Sequence, residues 1–336
     1  MNHVTVVICN YNYERYIATA IDSALDQDYP GTRVVVIDDG STDGSREIIE
    51  SYGSRLTAIF KPNGGQVSAY NYAVDMLDTE YAIFLDSDDF LYPSAVSEVM
   101  RAFSSGEWAK VQFRLDVVDA MGSPTGAYVP NTEPLPNCGR LLMGGWLYPS
   151  PPASGNAYRV SALKRVFPVP ESSINRYGAD FYAIYGVALV GTVASISRSL
   201  GGYRVHHAID SSVAFANSEQ LSKAPKAFGM RWAILREIAR SRLQLQLPSN
   251  FHDFSHEKAL FCSSVYRAPL STRWRWMLRD SHTYFHTILA NPFWSMKKKL
   301  GTLVLSSLCL VPYTPFSDFV VSYITNPLAR RRVAGR

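Results

Sequence analysis

Short apolar segments alternate with stretches of helical periodicity along the N-terminal third of the chain. Residues 4–9, 34–37, 57–60 and 81–85 are rich in β-branched and aromatic side chains, and a segment with helical spacing separates each from the next. Strands that alternate with helices in this way form βαβ units, in which neighbouring strands run parallel. The pattern therefore predicts an α/β fold built on a parallel sheet.

The remainder of the chain follows a less regular pattern. Residues 111–118 predict a further strand, and residues 187–197 and 203–205 predict later strands or edge elements. Residues 122–170 are so rich in Pro, Gly, Ser and Asn that they predict long loops. From residue 218 to about residue 290 the spacing becomes helical. We expect a mixed domain followed by a mainly helical extension.

Polar residues stand directly after the predicted strands. They are Asn10, Asp38, Asp39, Asn63, Asp86 and Asp88. Parallel sheets bind ligands at the carboxyl ends of their strands, so these side chains are expected to line one cleft.

The composition indicates a packed protein and argues against a nucleic-acid partner. Of the 336 residues, 47% are hydrophobic and 18% are charged, which argues against a disordered chain. A net charge of +4 is too small to indicate a nucleic-acid binder. The four cysteines lie far apart, so neither a disulfide framework nor a zinc site is expected, and a reducing cytoplasm fits. The first residues lack the pattern of a secretory signal.

The strongest chemical signal is Asp86-Ser87-Asp88-Asp89, directly after an apolar strand. Carboxylates two residues apart beyond a strand end can converge on one hard cation, and Mn²⁺ or Mg²⁺ held there would neutralise the oxygens of a diphosphate. Two alternatives remain open. The acids cap a helix that begins near Pro93, or Asp86 serves a phosphoryl transfer, as in phosphatases that carry Asp-x-Asp after a strand.

A second signal is the run Asp38-Asp39-Gly40-Ser41 at the end of the predicted second strand. A carboxylate there can accept the ring N–H of a uracil-like base or the hydroxyls of ribose, and the glycine permits a tight turn beside the ligand. A simple helix cap at Ser41 or Asp43 explains part of the run as well.

Four segments carry a resemblance to a known family. They are VVICNYNYERYIATAIDSALDQDYP, VVVIDDGSTDGS, KPNGGQVSAYNYAV and YAIFLDSDDFLYP, which lie within about the first hundred residues. In this order and spacing they resemble glycosyltransferase family 2, whose catalytic domain has the Rossmann-like GT-A fold of nucleotide-diphospho-sugar transferases. A looser match continues through SGNAYRVSAL, GADFY and LGGYRVH to about residue 210.

The resemblance implies a nucleotide site formed by the first segments. Tyr11 would flank the base, and Asp39 would accept its N3–H. The other residues assigned to this site are Cys9, Asp38, Asn63, Gly65 and Asn71. Many members have Thr or Ser where this chain has Cys9, and a structural role suits Asn71 equally well.

The later segments are implied to hold the reacting groups. Asp86 would contact ribose and the metal, Asp88 would be the principal metal ligand, and Asp180 would be the general base. His206 would contact the metal or the diphosphate, with Arg204 nearby as a phosphate partner. A helix cap at Asp180 and an ordinary structural histidine at His206 are the alternatives.

A sugar-binding rim is implied between these groups. Gly155 and Asn156 resemble the family's loop beside the donor sugar, and Trp146 is a candidate for the acceptor side. The alternatives are an ordinary start of the helix at residues 160–166 and an aromatic packing cover.

We therefore expect an inverting glycosyltransferase that moves a sugar from a nucleotide diphosphate sugar, with a UDP-sugar favoured, to a hydroxyl of a glycan or a lipid-linked saccharide. Residues 1–105 are expected to form the nucleotide-sugar-binding half of the GT-A domain and residues 106–215 the acceptor-binding and catalytic half. Residues 216–336 are expected to form a helical C-terminal extension. A catalytically inactive nucleotide-sugar-binding module, acting as a partner or regulator, is the alternative.

The C-terminal extension ends in two apolar stretches with basic neighbours. Lysines 297–299 precede residues 300–311, and arginines 330–332 follow residues 316–324. A spanning helix needs about 20 apolar residues, so each stretch is too short to span. Apolar segments beside basic clusters bind anionic membrane surfaces, so we expect peripheral contact with the inner face of the cytoplasmic membrane. Packing onto the catalytic domain or a contact in a homo-oligomer is the alternative.

Overall fold

The chain divides into two compact units. The computed structural model describes residues 3–206, 224–266, 268–310 and 314–325. The first unit consists of residues 1–204 and 233–249, and the second of residues 205–232 and 250–336. The domain boundaries expected at residues 105 and 215 stay a prediction.

The elements of the first unit follow the chain in this order: β1 (Val4–Asn10), α1 (Ile17–Leu25), β2 (Thr32–Asp38), α2 (Ser45–Ser51), β3 (Thr57–Phe60), α3 (Gln66–Met76), β4 (Tyr81–Asp86), β5 (Phe90–Leu91), α4 (Ala95–Ser104), β6 (Trp108–Val118), β7 (Pro124–Val129), α5 (Cys138–Met143), β8 (Asn156–Arg159), α6 (Val160–Val166), α7 (Ala179–Val190) and β9 (Thr192–Arg204). Helix α8 (Ala224–Arg242) contributes residues to both units. The second unit continues with α9 (Phe254–Val265), α10 (Leu270–Arg279), α11 (Ser281–Leu289), α12 (Met296–Leu308) and α13 (Thr314–Thr325).

One mixed sheet forms the centre of the first unit. Its strand order is β3-β2-β1-β4-β8-β6-β9-β5, and β7 pairs with β6. Strands β1 to β4 pair in parallel, whereas β8 is antiparallel to both β4 and β6. The predicted α/β class and the parallel arrangement of the first four strands are confirmed.

Burial explains why the first strands contain so few polar residues. Val4, Val6 and Ile8 of β1 are fully buried and belong to a core cluster with residues of α1 and α4. The intervening Val7 is also buried. Strands that are covered on both faces read as continuous apolar runs, which is the pattern seen in the sequence.

The strand register aligns the polar strand ends. In β1, Asn10 stands opposite Asp38 of β2, and Cys9 stands opposite Asp86 of β4. Because parallel strands end at the same edge of a sheet, these four residues lie together at the carboxyl edge.

The prediction of a strand at residues 187–197 is wrong in part. Residues 187–190 belong to the end of α7, and β9 continues over most of the two ranges predicted as separate strands. Eight of the twelve residues of α7 are buried. A short apolar run of this kind does not distinguish a buried helix from a buried strand.

The prediction of long loops for residues 122–170 is also wrong. This range contains β7, α5, β8 and α6. The β6–β7 hairpin turns at Gly122, whose φ is 86°, and the Asp119 carboxylate accepts hydrogen bonds from the N–H groups of Met121 and Ser123. The turn residues therefore mark the ends of many short elements.

Helices α9 to α13 pack around a core of their own. The rings of Phe261, Trp276 and Tyr284 meet there with centroids 4.9 to 5.5 Å apart. The buried Arg273 of α10 donates to the carbonyl oxygen of Cys309, directly after α12, over 3.2 Å. The predicted helical extension is confirmed.

The two C-terminal apolar stretches coincide largely with α12 and α13. Among the residues that the structure describes, no helix is long and apolar enough to cross a membrane. Residues 311–313 and the arginines at 330–332 lie outside the described residues.

Candidate functional site

Three acidic residues lie where β4 ends. Asp86 is the last residue of the strand, and Asp88 and Asp89 follow before β5. The buried Asp89 carboxylate accepts hydrogen bonds from the Ser154 hydroxyl over 2.6 Å and from the main-chain N–H of Arg204 over 2.8 Å. Ser154 also accepts from the main-chain N–H of Asp86 over 3.1 Å. Asp89 therefore anchors the turn that contains Asp88.

The electrostatics of Asp86 show that a fourth acid lies close by. Burial raises the pKa of Asp86 well above its usual range, and the carboxylates of Asp89, Asp88 and Asp180 raise it further. Asp180 lies in the first turn of α7. Two separate parts of the chain thus bring acids to one place, and a bound cation would stabilise their ionised forms.

Asp86 and Asp88 have the chemistry of ligands for Mn²⁺ or Mg²⁺, which prefer oxygen donors. Within the described parts of the chain, no three or more His, Cys, Asp or Glu side chains are grouped so that they could hold a metal ion. Protein sites for Mg²⁺ commonly combine one or two carboxylates with substrate phosphates and water. The residues fit a cation held jointly with a diphosphate.

Asp38 orders the turn after β2. Its carboxylate accepts hydrogen bonds from the Asn10 amide over 2.9 Å and from the N–H and hydroxyl of Ser41 over 2.8 and 2.6 Å. Asp43 accepts from the N–H of Ser45, the first residue of α2, over 3.1 Å. These contacts support the alternative of a helix cap for part of the run that begins at Asp38. A nucleotide contact by Asp38 stays a prediction.

Asp39 binds the loop that follows β3. Its carboxylate accepts from Lys61 Nζ over 2.5 Å, from the N–H of Gly64 over 2.9 Å and from the N–H of Gly65 over 2.6 Å. An ionised carboxylate offers about four lone-pair sites, so these three bonds leave room for one more donor.

The start of α3 contacts the start of α7. A Cβ atom on Gly65, whose φ is +89°, would lie 2.7 Å from the carbonyl oxygen of Arg176, so a larger residue does not fit there. The Gln66 side-chain oxygen accepts from the N–H of Gly178 over 2.7 Å. This contact holds the turn of helix that contains Asp180 against the loop bound by Asp39.

Asn63 and Asn71 both contact the segment between α6 and α7. The Asn63 side-chain oxygen accepts from the Arg176 guanidinium. Asn71 donates to the carbonyl oxygen of Val169 over 2.8 Å and accepts from its N–H over 2.7 Å, and it also donates to Glu171. Asn71 thus has the structural role that the sequence left open, and the nucleotide roles of both asparagines stay predictions.

The end of β1 contributes a thiol and two tyrosines. Burial, followed by the charges of Asp86 and Asp39, raises the pKa of the Cys9 thiol, which is therefore neutral. Tyr11, predicted to flank the base, is 42% exposed. Partial burial and the nearby acids, Asp88 first among them, raise the pKa of Tyr13 to about 12.

Arg204 at the end of β9 braces the acidic turn. Its Nε donates to the carbonyl oxygen of Asp88 over 2.7 Å, and its Nη1 donates to that of Ala120 over 3.1 Å. The guanidinium also lies 4.8 Å from the ring centroid of Tyr16. His206 is partly buried and belongs to the second unit. The predicted diphosphate and metal contacts of Arg204 and His206 stay predictions.

The predicted sugar-binding loop is tightly built. The amide of the fully buried Asn156 donates to the carbonyl oxygens of Pro151 and Pro152 over 3.2 and 2.7 Å. A Cβ atom on Gly155 would lie 2.5 Å from the Pro151 side chain. Trp146 follows α5 and is partly buried. The sugar contacts of these residues stay predictions.

Sequence reasoning missed three residues that position the site: Lys61, Gln66 and Ser154. Their partners Asp39, Gly178 and Asp89 lie 22, 112 and 65 positions away in the chain. Lys, Gln and Ser are ordinary surface residues, so nothing but the fold shows their roles. The resemblance covers the segments in which these residues lie, KPNGGQVSAYNYAV and SGNAYRVSAL, but it assigns none of the three a role.

Comparisons with known proteins identify the family of the chain. A sequence model described as Glycosyl transferase family 2 matches residues 5–167. An uncharacterized glycosyltransferase of Nostoc sp. is 34% identical over 238 residues, which cover 68% of this chain and 72% of the relative. The chain belongs to glycosyltransferase family 2. The resemblance inferred from the four sequence segments is therefore confirmed, and the protein is a glycosyltransferase.

Other relatives match over a shorter range. The chondroitin synthase of Pasteurella multocida is 42% identical over 103 residues, which cover 30% of this chain and 11% of the synthase. An uncharacterized glycosyltransferase of Rickettsia typhi is 40% identical over 93 residues, which cover 28% of this chain and 29% of the relative. The chain thus spans well under half the length of these two relatives in each match.

Solved structures share the fold of this family 2 chain. S. aureus TarS 1-349 in complex with UDP-GlcNAc matches with a TM-score of 0.53 at 19% identity, covering 96% of this chain and 91% of that one. The mannosyltransferase PcManGT from Pyrobaculum calidifontis, in complex with GDP-Man and Mn²⁺, matches with a TM-score of 0.50 at 16% identity, covering 98% and 86%. The predicted GT-A fold is confirmed.

Proposed function

We propose that this family 2 glycosyltransferase moves a sugar from a nucleoside diphosphate sugar to an acceptor hydroxyl, with inversion at the anomeric carbon. The observation that carries the proposal is the proximity of Asp86 and Asp88, after β4, to Asp180 in α7. The first two carboxylates suit a cation-bound diphosphate, and the third suits removal of a proton. UDP-GlcNAc bound to TarS and GDP-Man bound to PcManGT support such a donor, and we favour a UDP-sugar.

The nucleotide binds at the ends of β1 and β2 in this proposal. Asp39 retains one lone-pair site beyond its three bonds to the β3–α3 loop, and we assign that site to the N3–H of uracil. The exposed ring of Tyr11 offers a face against which a base can stack.

The acidic residues have two separate tasks in this proposal. Asp86 and Asp88 would hold Mn²⁺ or Mg²⁺, which would supply positive charge to the departing diphosphate when bound. Asp180 takes the proton of the acceptor hydroxyl as that oxygen bonds to the anomeric carbon. The bond to the diphosphate oxygen breaks in the same step, so the nucleoside diphosphate leaves with the electron pair.

Calorimetry with UDP, with and without Mn²⁺, tests the metal position. We expect Asp88→Ala to lose the gain in UDP affinity that Mn²⁺ gives to the wild type, because the cation loses its principal ligand. Asp75→Ala, which removes an exposed acid from α3, is the matched control and should retain the gain. Undiminished metal-dependent binding by Asp88→Ala would place the cation elsewhere.

Product analysis tests the reaction class. Incubation with sugar nucleotides and candidate acceptors should release one nucleoside diphosphate for each sugar transferred. Release of free phosphate instead would favour phosphoryl transfer through Asp86. Tight donor binding without transfer to any glycan or lipid-linked acceptor would favour an inactive binding module.

We further propose that the enzyme acts in the cytoplasm at the inner face of the membrane, on a lipid-linked saccharide. The apolar side of α12 supports this location. Met296, Leu300 and Val304 recur at every fourth position of the helix and are 62%, 55% and 60% exposed. Lysines 297–299 precede Leu300 in the first turns, and α12 contains no acidic residue.

Helix α10 repeats this arrangement. Leu270, Trp274 and Leu278 recur at every fourth position and are 37%, 46% and 80% exposed. Arg275 and Arg279 are exposed beside them, and α10 contains no acidic residue. Each cation near an anionic surface contributes about 1 kcal/mol to membrane binding, so these residues add attraction to the apolar contact.

Flotation with liposomes tests the location without any need for activity. Leu300→Gln combined with Val304→Gln should reduce recovery on vesicles that contain anionic lipid, because the apolar contact is lost. Met121→Gln combined with Leu135→Gln, at side chains that are 78% and 79% exposed in the first unit, is the matched control. Equal recovery of wild type and both variants in the soluble fraction at low salt would contradict membrane contact.

A further inference from the structure

Lys110 is a fully buried lysine in the sheet of the first unit. It lies in β6 opposite Tyr158 of β8 and is 0% exposed. Its Nζ donates hydrogen bonds of 3.0 Å to two hydroxyl groups, those of Tyr148 and Ser150. Lysine is almost never fully buried unless it is paired with an acid, so a lysine between two hydroxyls requires an explanation.

The direction of each hydrogen bond around Lys110 can be assigned. The Asn156 amide nitrogen donates to main-chain carbonyls, so its Oδ1 accepts from the Ser150 hydroxyl over 3.1 Å. The Tyr148 hydroxyl donates to the carbonyl oxygen of Ile184 over 2.6 Å. Each hydroxyl has a single hydrogen, so both must accept from Lys110. The two N–H groups of a neutral amine satisfy both.

One branch of this network leads to the acids after β4. Ser150 and Asn156 hold the tight loop that contains Ser154. The Ser154 hydroxyl donates to Asp89 and accepts from the main-chain N–H of Asp86. A shift of the Lys110 amine would therefore move this loop and, through Ser154, the turn that contains Asp88.

The other branch leads to the proposed base. The buried Tyr148 bonds to Ile184 in the middle of α7, and its ring packs against Tyr185 with centroids 5.2 Å apart. Asp180 lies in the first turn of the same helix. A rigid helix therefore links the second hydroxyl partner of Lys110 to the carboxylate that takes the acceptor proton.

We propose that Lys110 is a positioning residue that sets the distance between the carboxylates after β4 and Asp180. It acts through Ser150 and Tyr148, and none of its hydrogen bonds is to an acid of the site. The inference rests on the proposed function, since this distance matters when a metal-bound donor and an acceptor hydroxyl must meet. A misplacement of about 1 Å at such a site costs roughly 100-fold in rate.

The surroundings of Lys110 support a neutral amine in this role. Burial lowers the pKa of Lys110 to about 7, and the thiol of Cys138 opposes the shift only in part. At neutral pH the amine is therefore well populated, and it carries the two N–H groups that the two hydroxyls require.

Steady-state kinetics of Lys110→Met test the proposal. Methionine keeps an unbranched side chain that is one atom shorter, and it removes both N–H donors. We expect kcat to fall about 10- to 100-fold, while the Kd for UDP with Mn²⁺ changes by less than about threefold. We expect no fall in Tm, because the variant no longer buries a group that can be charged. Lys164→Met, at an exposed lysine of α6, is the matched control.

Two further variants separate the branches. Ser150→Ala should lower kcat. The double variant that combines it with Lys110→Met should have a kcat close to that of Lys110→Met alone, since the effects of residues in one network are not additive. Tyr148→Phe tests the branch to α7 in the same way. Wild-type kcat in Lys110→Met, or a loss of kcat matched by losses of Tm and UDP affinity, would overturn the proposal.

Hydrogen exchange without substrate keeps this test separate from the proposed reaction. The amides of Ser150 and of residues 153–156 should exchange faster in Lys110→Met than in the wild type, whereas those of β1 should not change. Unchanged exchange in the loop would overturn the positioning role even if the enzyme transfers sugar. Faster exchange in an enzyme that transfers no sugar would place the failure in the proposed function.

Discussion

The guanidinium of Arg204 donates a hydrogen bond of 2.7 Å to the main-chain carbonyl oxygen of Asp88, 116 residues earlier in the chain. The main-chain N–H of Arg204 bonds to Asp89 as well, so the end of β9 holds two consecutive residues of the acidic turn. Arg204 is only 4% exposed. Arg204 therefore stabilises the turn at Asp88, and a contact with the diphosphate would be a second role.

Arg204→Lys separates these two roles. Lysine retains the positive charge for a phosphate, but it lacks the planar fork that reaches the carbonyl oxygens of Asp88 and Ala120 together. We expect kcat/KM to fall by about tenfold or more, with weaker Mn²⁺-dependent binding of UDP, because the Asp88 turn is no longer held. Near wild-type kcat/KM in Arg204→Lys would mean that only the positive charge at this position is needed. Steady-state kinetics and calorimetry give both values.

Asp180→Asn tests the base. The amide keeps the shape of the side chain but cannot take a proton, so kcat should fall by about two to four orders of magnitude. The Kd for UDP with Mn²⁺ should change little, because Asp180 is assigned to the acceptor hydroxyl and not to the nucleotide. If Asp180→Asn transfers sugar at a rate close to that of the wild type, another residue is the base.

Gly65→Ala tests the contact between α3 and α7. The added methyl group meets the carbonyl oxygen of Arg176 at 2.7 Å and also imposes an unfavourable φ of +89°. We expect a loss of about 2 to 4 kcal/mol in the free energy of unfolding, together with lower kcat. Gly53→Ala is the matched control, since its φ is +56° and nothing lies within 4 Å of the added atom. Denaturant unfolding should show a smaller loss there, about 1 to 2 kcal/mol.

The buried amine of Lys110 should make stability depend on pH. Its pKa is about 7 in the folded protein and 10.5 as the ordinary value, so between these values the unfolded chain binds more protons. The free energy of unfolding contributed by this group therefore rises with pH from about 7 to 10.5 and is constant below 7. Denaturant unfolding of wild type and Lys110→Met across this range should show a steeper rise for the wild type. Parallel curves would mean that the lysine stays charged.

The sequence predicts the edge of the sheet well because local patterns determine it. Apolar runs covered on both faces identify β1, β2 and β4, and an acid directly after such a run must stand at the carboxyl edge, as Asp38, Asp39 and Asp86 do. No local pattern separates α7 from a strand, because most of its residues are buried.

Contacts between distant segments are beyond such reasoning. The roles of Ser154 and Lys110 depend on partners brought close by strand order, and β8 enters the sheet antiparallel between β4 and β6. That insertion places Ser154 beside Asp89 and Ser150 beside Lys110. Neither serine differs by type or neighbours from a loop serine exposed to solvent.

The double pairing of β1 with β2 and β4 has a consequence for how this enzyme family can diversify. Asn10 and Cys9 stand opposite Asp38 and Asp86 through main-chain pairing, and the Asn10 side chain also donates to Asp38. Deleting one residue from β1 would turn every following side chain to the other face and displace both acids relative to the strand at once. Exchanging a side chain at the edge leaves this spacing untouched. Single substitutions at this edge therefore preserve the spacing of the acids, whereas changes of length preserve it only in the loops beyond the strand ends.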